Sequence, residues 1–215
     1  MSPFACEVCT AGFATWNIEY RCTDNEGGGW PGTFIDVGKA IDHLKILAPE
    51  YNLDLDNVII VGHSSGGHLA LWSAARKKLS LSSPLYSPDS LAPRAVINIA
   101  GPGDLKSFQK IELKCCGSNI ISALLKNGEG SIESKLAQTS PYELLPLSIK
   151  QLFISGEHDL ASPLDEINKY VKKAKALNDE AELHLIRNAG HFEVVDPRGE
   201  AFKEILEIFK SLIKY

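Results

Sequence analysis

The order of apolar patterns along this chain predicts an α/β fold, with a mostly parallel sheet and helices on both faces. Three observations carry that expectation. Short β-branched runs alternate with stretches of helical periodicity from about residue 14 onward. The run Val58–Val61 is apolar at every position, as in a strand buried on both faces. A chain of 215 residues, 44% of them apolar, can bury one sizeable core, and residues 1–215 read as a single domain.

The elements follow in order. Met1 to Gly12 is helix-like, and Ala14 to Tyr20 (ATWNIEY) reads as a strand leading into the glycine-rich loop at Gly27, Gly28 and Gly29. Thr33 is the expected N-cap of a helix that carries Phe34, Val37, Ile41, Leu44 and Leu47 at spacings of three and four. After the Val58–Val61 strand, a second helix runs through Leu69, Ala70, Trp72, Ser73 and Ala75. It ends in Arg76, Lys77 and Lys78, cations that suit a helix C-terminus. The Ser- and Pro-rich stretch from Leu79 to Arg94 reads as a surface loop.

Ala95 to Ile99, Leu152 to Ser155 and Leu183 to Ile186 are further strands, with an amphipathic helix from about Leu164 to Leu177 between the last two. Asp196-Pro197 resembles an N-cap followed by proline at the first helical position. The final helix repeats Phe202, Ile205, Leu206, Phe209, Leu212 and Ile213 on one face. Residues 101–149 interrupt the alternation, with a break at Cys115-Cys116-Gly117, a short helix near Ile120 to Lys126 and a bend at Gly128 and Gly130. An insertion of this length in a parallel fold is expected to form a cap over the site.

A net charge of -5 gives no basic face for nucleic acid or an anionic membrane. No apolar stretch approaches the roughly 20 residues that span a bilayer. The first twenty residues hold no Lys or Arg and make a poor signal peptide. Five cysteines without scaffold spacing fit a reducing, cytoplasmic setting. Cys6 and Cys9 form C-x-x-C on a helical stretch, where packing on one helix face is expected rather than a metal site. No metal or organic cofactor is implied.

Gly62-His63-Ser64-Ser65-Gly66 carries the chemistry. It fits G-x-S-x-G, directly follows a buried-strand run and directly precedes a helix. A sharp turn there lifts the Ser64 hydroxyl to the carboxyl edge of the sheet as a nucleophile, with glycines where the turn closes. The helix N-terminus then offers the Ser65 backbone N–H to a developing oxyanion. An inert serine in a glycine-rich connector is the plain alternative, and Ser65 is the adjacent decoy.

The nucleophile needs a base, and the base an orienting carboxylate. In hydrolases with this turn the acid and then the histidine follow the serine along the chain. Asp159 follows one strand in LFISGEHD and His191 follows the next in LIRNAGH, so both are expected at the Ser64 edge. Glu157, Asp165 and Asp104 are the alternative acids. His63 and His68 adjoin the serine but precede any acid, His158 reads as a loop residue, His184 lies within a strand and His43 on a helix face.

Taken together, VGHSSGGHLALW, SPYELLP, GEHD and AGHFEVVDP resemble the α/β-hydrolase superfamily. NIEYR at Asn17–Arg21 and GGGWPGTF at Gly27–Phe34 are similar to its carboxylesterase and arylformamidase-like branch. The resemblance runs over essentially the whole chain. It implies Ser64, Asp159 and His191 as a triad, the Ser65 backbone as one oxyanion donor, and Trp30 or Tyr20 near the substrate. Members of that superfamily normally begin with further strands, one ending in His-Gly-Gly and supplying a second oxyanion donor. No His-Gly-Gly occurs in this sequence, so the resemblance is to an N-terminally shortened α/β-hydrolase. Losing one such donor typically costs about 100- to 1,000-fold in rate.

The favoured expectation is that Met1 is an internal methionine of a longer protein. The alternative is a genuine short form, with its strands closed up or completed by another chain, and a homodimer through the exposed sheet stays open.

The function these residues point to is hydrolysis of a small carboxylic ester or formyl amide through an acyl-enzyme. The alternative is a catalytically silent, hydrolase-like binding or interaction module. A peptidase is a weaker third reading, because no second domain is present to select peptides.

Overall fold

Four of the apolar runs pair edge to edge in the computed structural model, which describes residues 1–213. Strands β1 (Ile59–His63), β2 (Ala95–Ile99), β3 (Lys150–Gly156) and β4 (Ala181–Ile186) form a sheet in the order β1-β2-β3-β4. All three pairings are parallel. Their carboxyl ends therefore share one edge, where the loops carrying Ser64, Asp104, Asp159 and His191 leave the sheet.

Helices cover both faces, as the apolar patterns predict. Alternate residues of a strand point to opposite sides. Ala95, Ile97 and Ile99 of β2 and Leu152 and Ile154 of β3 meet helices α1 (Ser2–Thr10) and α10 (Glu200–Leu212) through Phe4, Val8, Phe202, Ile205 and Phe209. Val96 and Phe153 point the other way. They pack on helices α4 (Ser65–Ala75) and α9 (Leu164–Ala176) through Ala70, Leu71, Ile167, Tyr170 and Ala174.

A third cluster joins α4 to helix α2 (Gly32–Asp42) and to the segment after β2. Phe34, Leu69 and Trp72 there meet Leu105, Phe108, Ile121, Leu125 and Leu136. The segment holds four short helices, α5 (Leu105–Phe108), α6 (Glu112–Cys116), α7 (Ile120–Leu125) and α8 (Ile132–Thr139), and those last residues come from α5, α7 and α8. The segment is sewn to α4 by side chains as well. The His68 imidazole Nε2 donates to the Thr139 carbonyl at 2.8 Å, and the Trp72 indole donates to the Gln138 carbonyl at 3.0 Å.

Several expectations are corrected. Ala14–Tyr20 is not a strand: its backbone is unpaired, because no neighbouring strand adjoins it among the described residues. Side chains hold it instead. The Trp16 indole donates to the Ala40 carbonyl at 3.0 Å, and Arg21 pairs with Asp36 at 2.7 Å. The alternation survives only in the half-burial of Ile18 and Tyr20. The helix after the glycine-rich loop begins at Gly32 with Pro31 as its N-cap. Thr33 lies in the first turn, and its hydroxyl accepts from Gly29 N at 2.9 Å. That helix also breaks at His43, and helix α3 (Leu44–Tyr51) continues beyond it.

Asp196 is not the N-cap of the final helix, since α10 starts four residues later behind Gly199; its carboxylate pairs with Arg198 at 3.0 Å. Cys6 and Cys9 are exposed on α1, whose buried residues are Phe4 and Val8, so they do not pack. Arg76 is not a solvated cation at a helix end. It is buried, and Asp42 receives it in a two-pronged ion pair at 2.7 and 2.8 Å. Burial pushes the Asp42 carboxyl up, but the guanidinium and the Leu91 N–H more than offset that and hold it below the usual carboxylate range.

Candidate active site

The sharp turn after β1 is the first structural feature of the site. Ser64 stands between the last residue of β1 and the first of α4 with φ 55 and ψ -120, a left-handed conformation that costs a non-glycine residue energy. Neighbouring backbone holds it there. Ser64 N donates to Ile99 O of β2 at 2.8 Å, and Ser64 O accepts from Gly67 N at 2.9 Å. Gly62 is required on steric grounds, because a Cβ there would run into the Gly66 carbonyl. The first N–H groups of α4, starting with that of Ser65, have no acceptor within the helix and carry the positive end of its dipole.

Two further residues meet at the same edge. The His191 imidazole donates from Nδ1 to Asp159 Oδ2 at 2.9 Å, and the Asp159 side chain is wholly buried while that of His191 is 16% exposed. The other oxygen of Asp159 accepts from Ala161 N at 2.8 Å and Ser162 N at 3.0 Å. With both carboxylate oxygens engaged, the acid cannot rotate away from the ring. No hydrogen bond joins Ser64 Oγ to His191 among the described residues. The end of β1 nonetheless touches the His191 loop, since His63 Nε2 donates to the His191 carbonyl at 2.8 Å and the two imidazole rings lie 4.7 Å apart. Burial lowers the His63 pKa, against a smaller opposing effect of the His191 carbonyl, so its ring is neutral at pH 7.

The other candidate acids are engaged elsewhere. Asp104 caps α5, accepting from Lys106 N and Ser107 N at 3.1 Å, and pairs with Lys169 at 2.9 Å. Glu157 is exposed and accepts from Asn188 N at 3.2 Å, and Asp165 sits in the first turn of α9. His158 is exposed in its turn, and His184 is half-buried in β4.

Tyr20 and Trp30 part company. The Tyr20 hydroxyl lies beside Ser65 and close to Gly66, at the mouth of the serine turn. Burial raises its pKa and keeps it a protonated donor, with Ser65 pulling the other way. Trp30 is only 4% exposed and packs edge-on against Phe34 at 6.2 Å, so its ring belongs to the core.

Two exposed apolar residues flank the pair without any sequence signal beyond adjacency. Phe192 is 71% exposed and Leu160 is 86% exposed. The Phe192 ring stands edge-on to His191 at 5.1 Å. Among the described residues no helix is long and apolar enough to cross a membrane.

The fold is that of several solved esterases. A truncated form of a carbohydrate esterase from gut microbiota superposes with a TM-score of 0.72 at 21% identity, over 91% of this chain and 73% of that one. The bifunctional GH43-CE of Bacteroides eggerthii gives 0.75 at 23% identity, over 98% of this chain but 31% of its own length. Native esterase 2 of Thermogutta terrifontis gives 0.65 at 21% identity, over 90% of this chain and 67% of that one. At such identities the likeness speaks for the α/β-hydrolase fold. Among curated proteins none matches the sequence. The family model described as BD-FAE matches residues 1–173, from α1 through most of α9. With the greater part of its length matched and an α/β-hydrolase sheet beneath it, the chain belongs to the BD-FAE family.

Proposed function

We propose that the chain is a serine hydrolase that cleaves a small carboxylic ester, with Ser64 as nucleophile, His191 as general base and Asp159 as the acid that orients it. The observation that carries this reading is the meeting of a strained strand–Ser64–helix turn with a half-buried His191, hydrogen-bonded to a buried Asp159, at one edge of a parallel sheet. In the proposed cycle His191 Nε2 takes the Ser64 proton as Oγ attacks the ester carbonyl. The Ser65 N–H stabilises the oxyanion. The protonated imidazole then donates to the departing alcohol, and water releases the acid from the acyl-enzyme by the same route. The Tyr20 hydroxyl stands at the mouth of the site as a donor to substrate. Residues 101–149 form the cap that shapes the pocket, within a single domain. The names of the carbohydrate esterase and of esterase 2 favour an ester over a formyl amide.

A fluorophosphonate probe tests the reading, because it reacts with an activated serine whatever the natural substrate. The wild type is expected to label, and Ser64→Ala and His191→Ala to show no label while remaining folded by circular dichroism. A folded wild type that stays unlabelled would overturn the proposal in favour of a silent binding module. Asp104→Asn serves as the contrast at the same edge. Asn caps a helix as well as Asp does, and the Lys169 ammonium, half-exposed, stays solvated when the pair is lost. Labelling by that variant is expected within about twofold of wild type, and a larger drop would move the acid's role toward Asp104.

A further inference from the structure

The parts of the proposed site come from opposite ends of the sheet. Ser64 follows β1 and His191 follows β4, and in the order β1-β2-β3-β4 these strands are three spacings apart, roughly 14 Å. The loop after β4 must therefore cross the carboxyl ends of β3 and β2 to bring an imidazole to the serine. Most of its hydrogen bonds do not make that crossing. His158 N donates to Ala189 O at 2.9 Å and Asn188 N to Glu157 Oε2 at 3.2 Å, which tie the loop to the turn after β3. Gly190 N donates to Glu193 Oε2 at 3.1 Å, within the loop itself. Asp159 holds the ring at Nδ1, also from the β3 side. One hydrogen bond at one nitrogen leaves a ring free to swing about that contact.

The hold from the β1 side comes from His63. A carbonyl can only accept, so the His63 Nε2–H donates to the His191 carbonyl at 2.8 Å, across 128 residues of sequence. Among the described residues no other hydrogen bond joins this loop to β1 or the serine turn. The contact is reinforced by rings: His63 lies 4.7 Å from the His191 ring and 5.7 Å from that of Phe192. His63 is also the residue before Ser64, on the last position of β1. Whatever it holds is referenced to the same rigid strand end as the serine.

We propose that His63 is a positioning residue that clasps the His191 loop to the end of β1, setting the imidazole beside Ser64. With Nε2 committed to a carbonyl, the His63 ring offers no base of its own at that nitrogen. The inference rests on the reading of His191 as the base. A misplacement of about 1 Å can cost on the order of 100-fold in rate, so a clasp of this kind acts on turnover more than on substrate affinity.

The test compares two substitutions. His63→Phe keeps a ring against His191 and Phe192 but removes the donor, and His63→Gln keeps an N–H donor at similar reach. Expected for His63→Phe is a fall in kcat of about 10- to 100-fold on an aryl ester, with KM hardly changed. Its Tm should drop by no more than the roughly 2–4 °C that one lost hydrogen bond costs a chain of this size. His63→Gln should recover most of the loss. Spectra of 15N-histidine-labelled protein read the tautomer and mobility of each ring without any turnover. His191 should carry its proton on Nδ1 in wild type and His63→Gln, and show averaged tautomers in His63→Phe. If wild type hydrolyses nothing, the catalytic reading fails and these spectra alone judge the clasp. A His191 ring unchanged by His63→Phe overturns the inference, as does a folded His63→Gln as impaired as His63→Phe.

Discussion

Asp159→Asn is expected to lower kcat/KM on an aryl ester by about four orders of magnitude, the scale seen when an orienting aspartate is neutralised in a serine triad. The hydrogen bonds around Asp159 say why. One oxygen accepts from two backbone N–H groups, of Ala161 and Ser162, and the other accepts from His191 Nδ1. An asparagine at this position must keep its carbonyl oxygen toward the two backbone donors, which leaves its NH2 facing the imidazole. Nδ1 can then no longer donate, so the ring takes its proton on Nε2 and cannot accept the one on Ser64. The side chain is wholly buried and equal in shape, so the fold should survive. Steady-state kinetics and probe labelling of the folded variant check this. Activity retained within tenfold would remove Asp159 from the proposed role and turn attention to Glu157.

The second large effect is on stability in acid. His68 is buried in α4, and its Nε2 donates to the Thr139 carbonyl. Burial drives its pKa from 6.5 down to about 4, against a smaller opposing effect of the Thr139 carbonyl. The sign follows directly. Below pH 6.5 the unfolded chain binds a proton at His68 that the folded chain refuses until about pH 4, so stability falls as the pH drops through that window. The accumulated loss is about 3 kcal/mol and levels off below pH 4. His68→Gln retains a donor for Thr139 without a titrating ring. Urea unfolding at steps between pH 7 and 4 should show the wild type losing about 3 kcal/mol more than this variant. Equal slopes for the two proteins would mean that the buried imidazole accepts its proton while folded. Since His68 links α4 to the end of α8, hydrogen exchange at those two helices should report the loss first.

Much of this molecule was legible as local pattern. The strands at Ala95–Ile99, Leu152–Ser155 and Leu183–Ile186 and the helix from Leu164 were each marked by a period of apolar residues, which depends on the backbone geometry of that segment alone. The turn at Ser64 was marked the same way, because a strand, a small residue, a serine and a helix start lie within a few positions. The features that escaped are those whose partner is remote. Ala14–Tyr20 has strand alternation, yet a strand exists only where a neighbour takes up its backbone hydrogen bonds, and none adjoins it among the described residues. Arg76 looks like a helix-end cation until Asp42, on another helix, receives it in the interior. Trp30 looks like a site residue until Phe34 and the helices after β2 close over it. His63 is visible only as the residue before a serine, and its contact with His191 arises because the loop after β4 crosses the whole sheet edge. Periodicity along the chain marked the four strands of the sheet and the helices that cover it, in their order. Which side chains then meet depends on the register and closure of those elements in space, where the deciding hydrogen bonds join residues far apart in sequence.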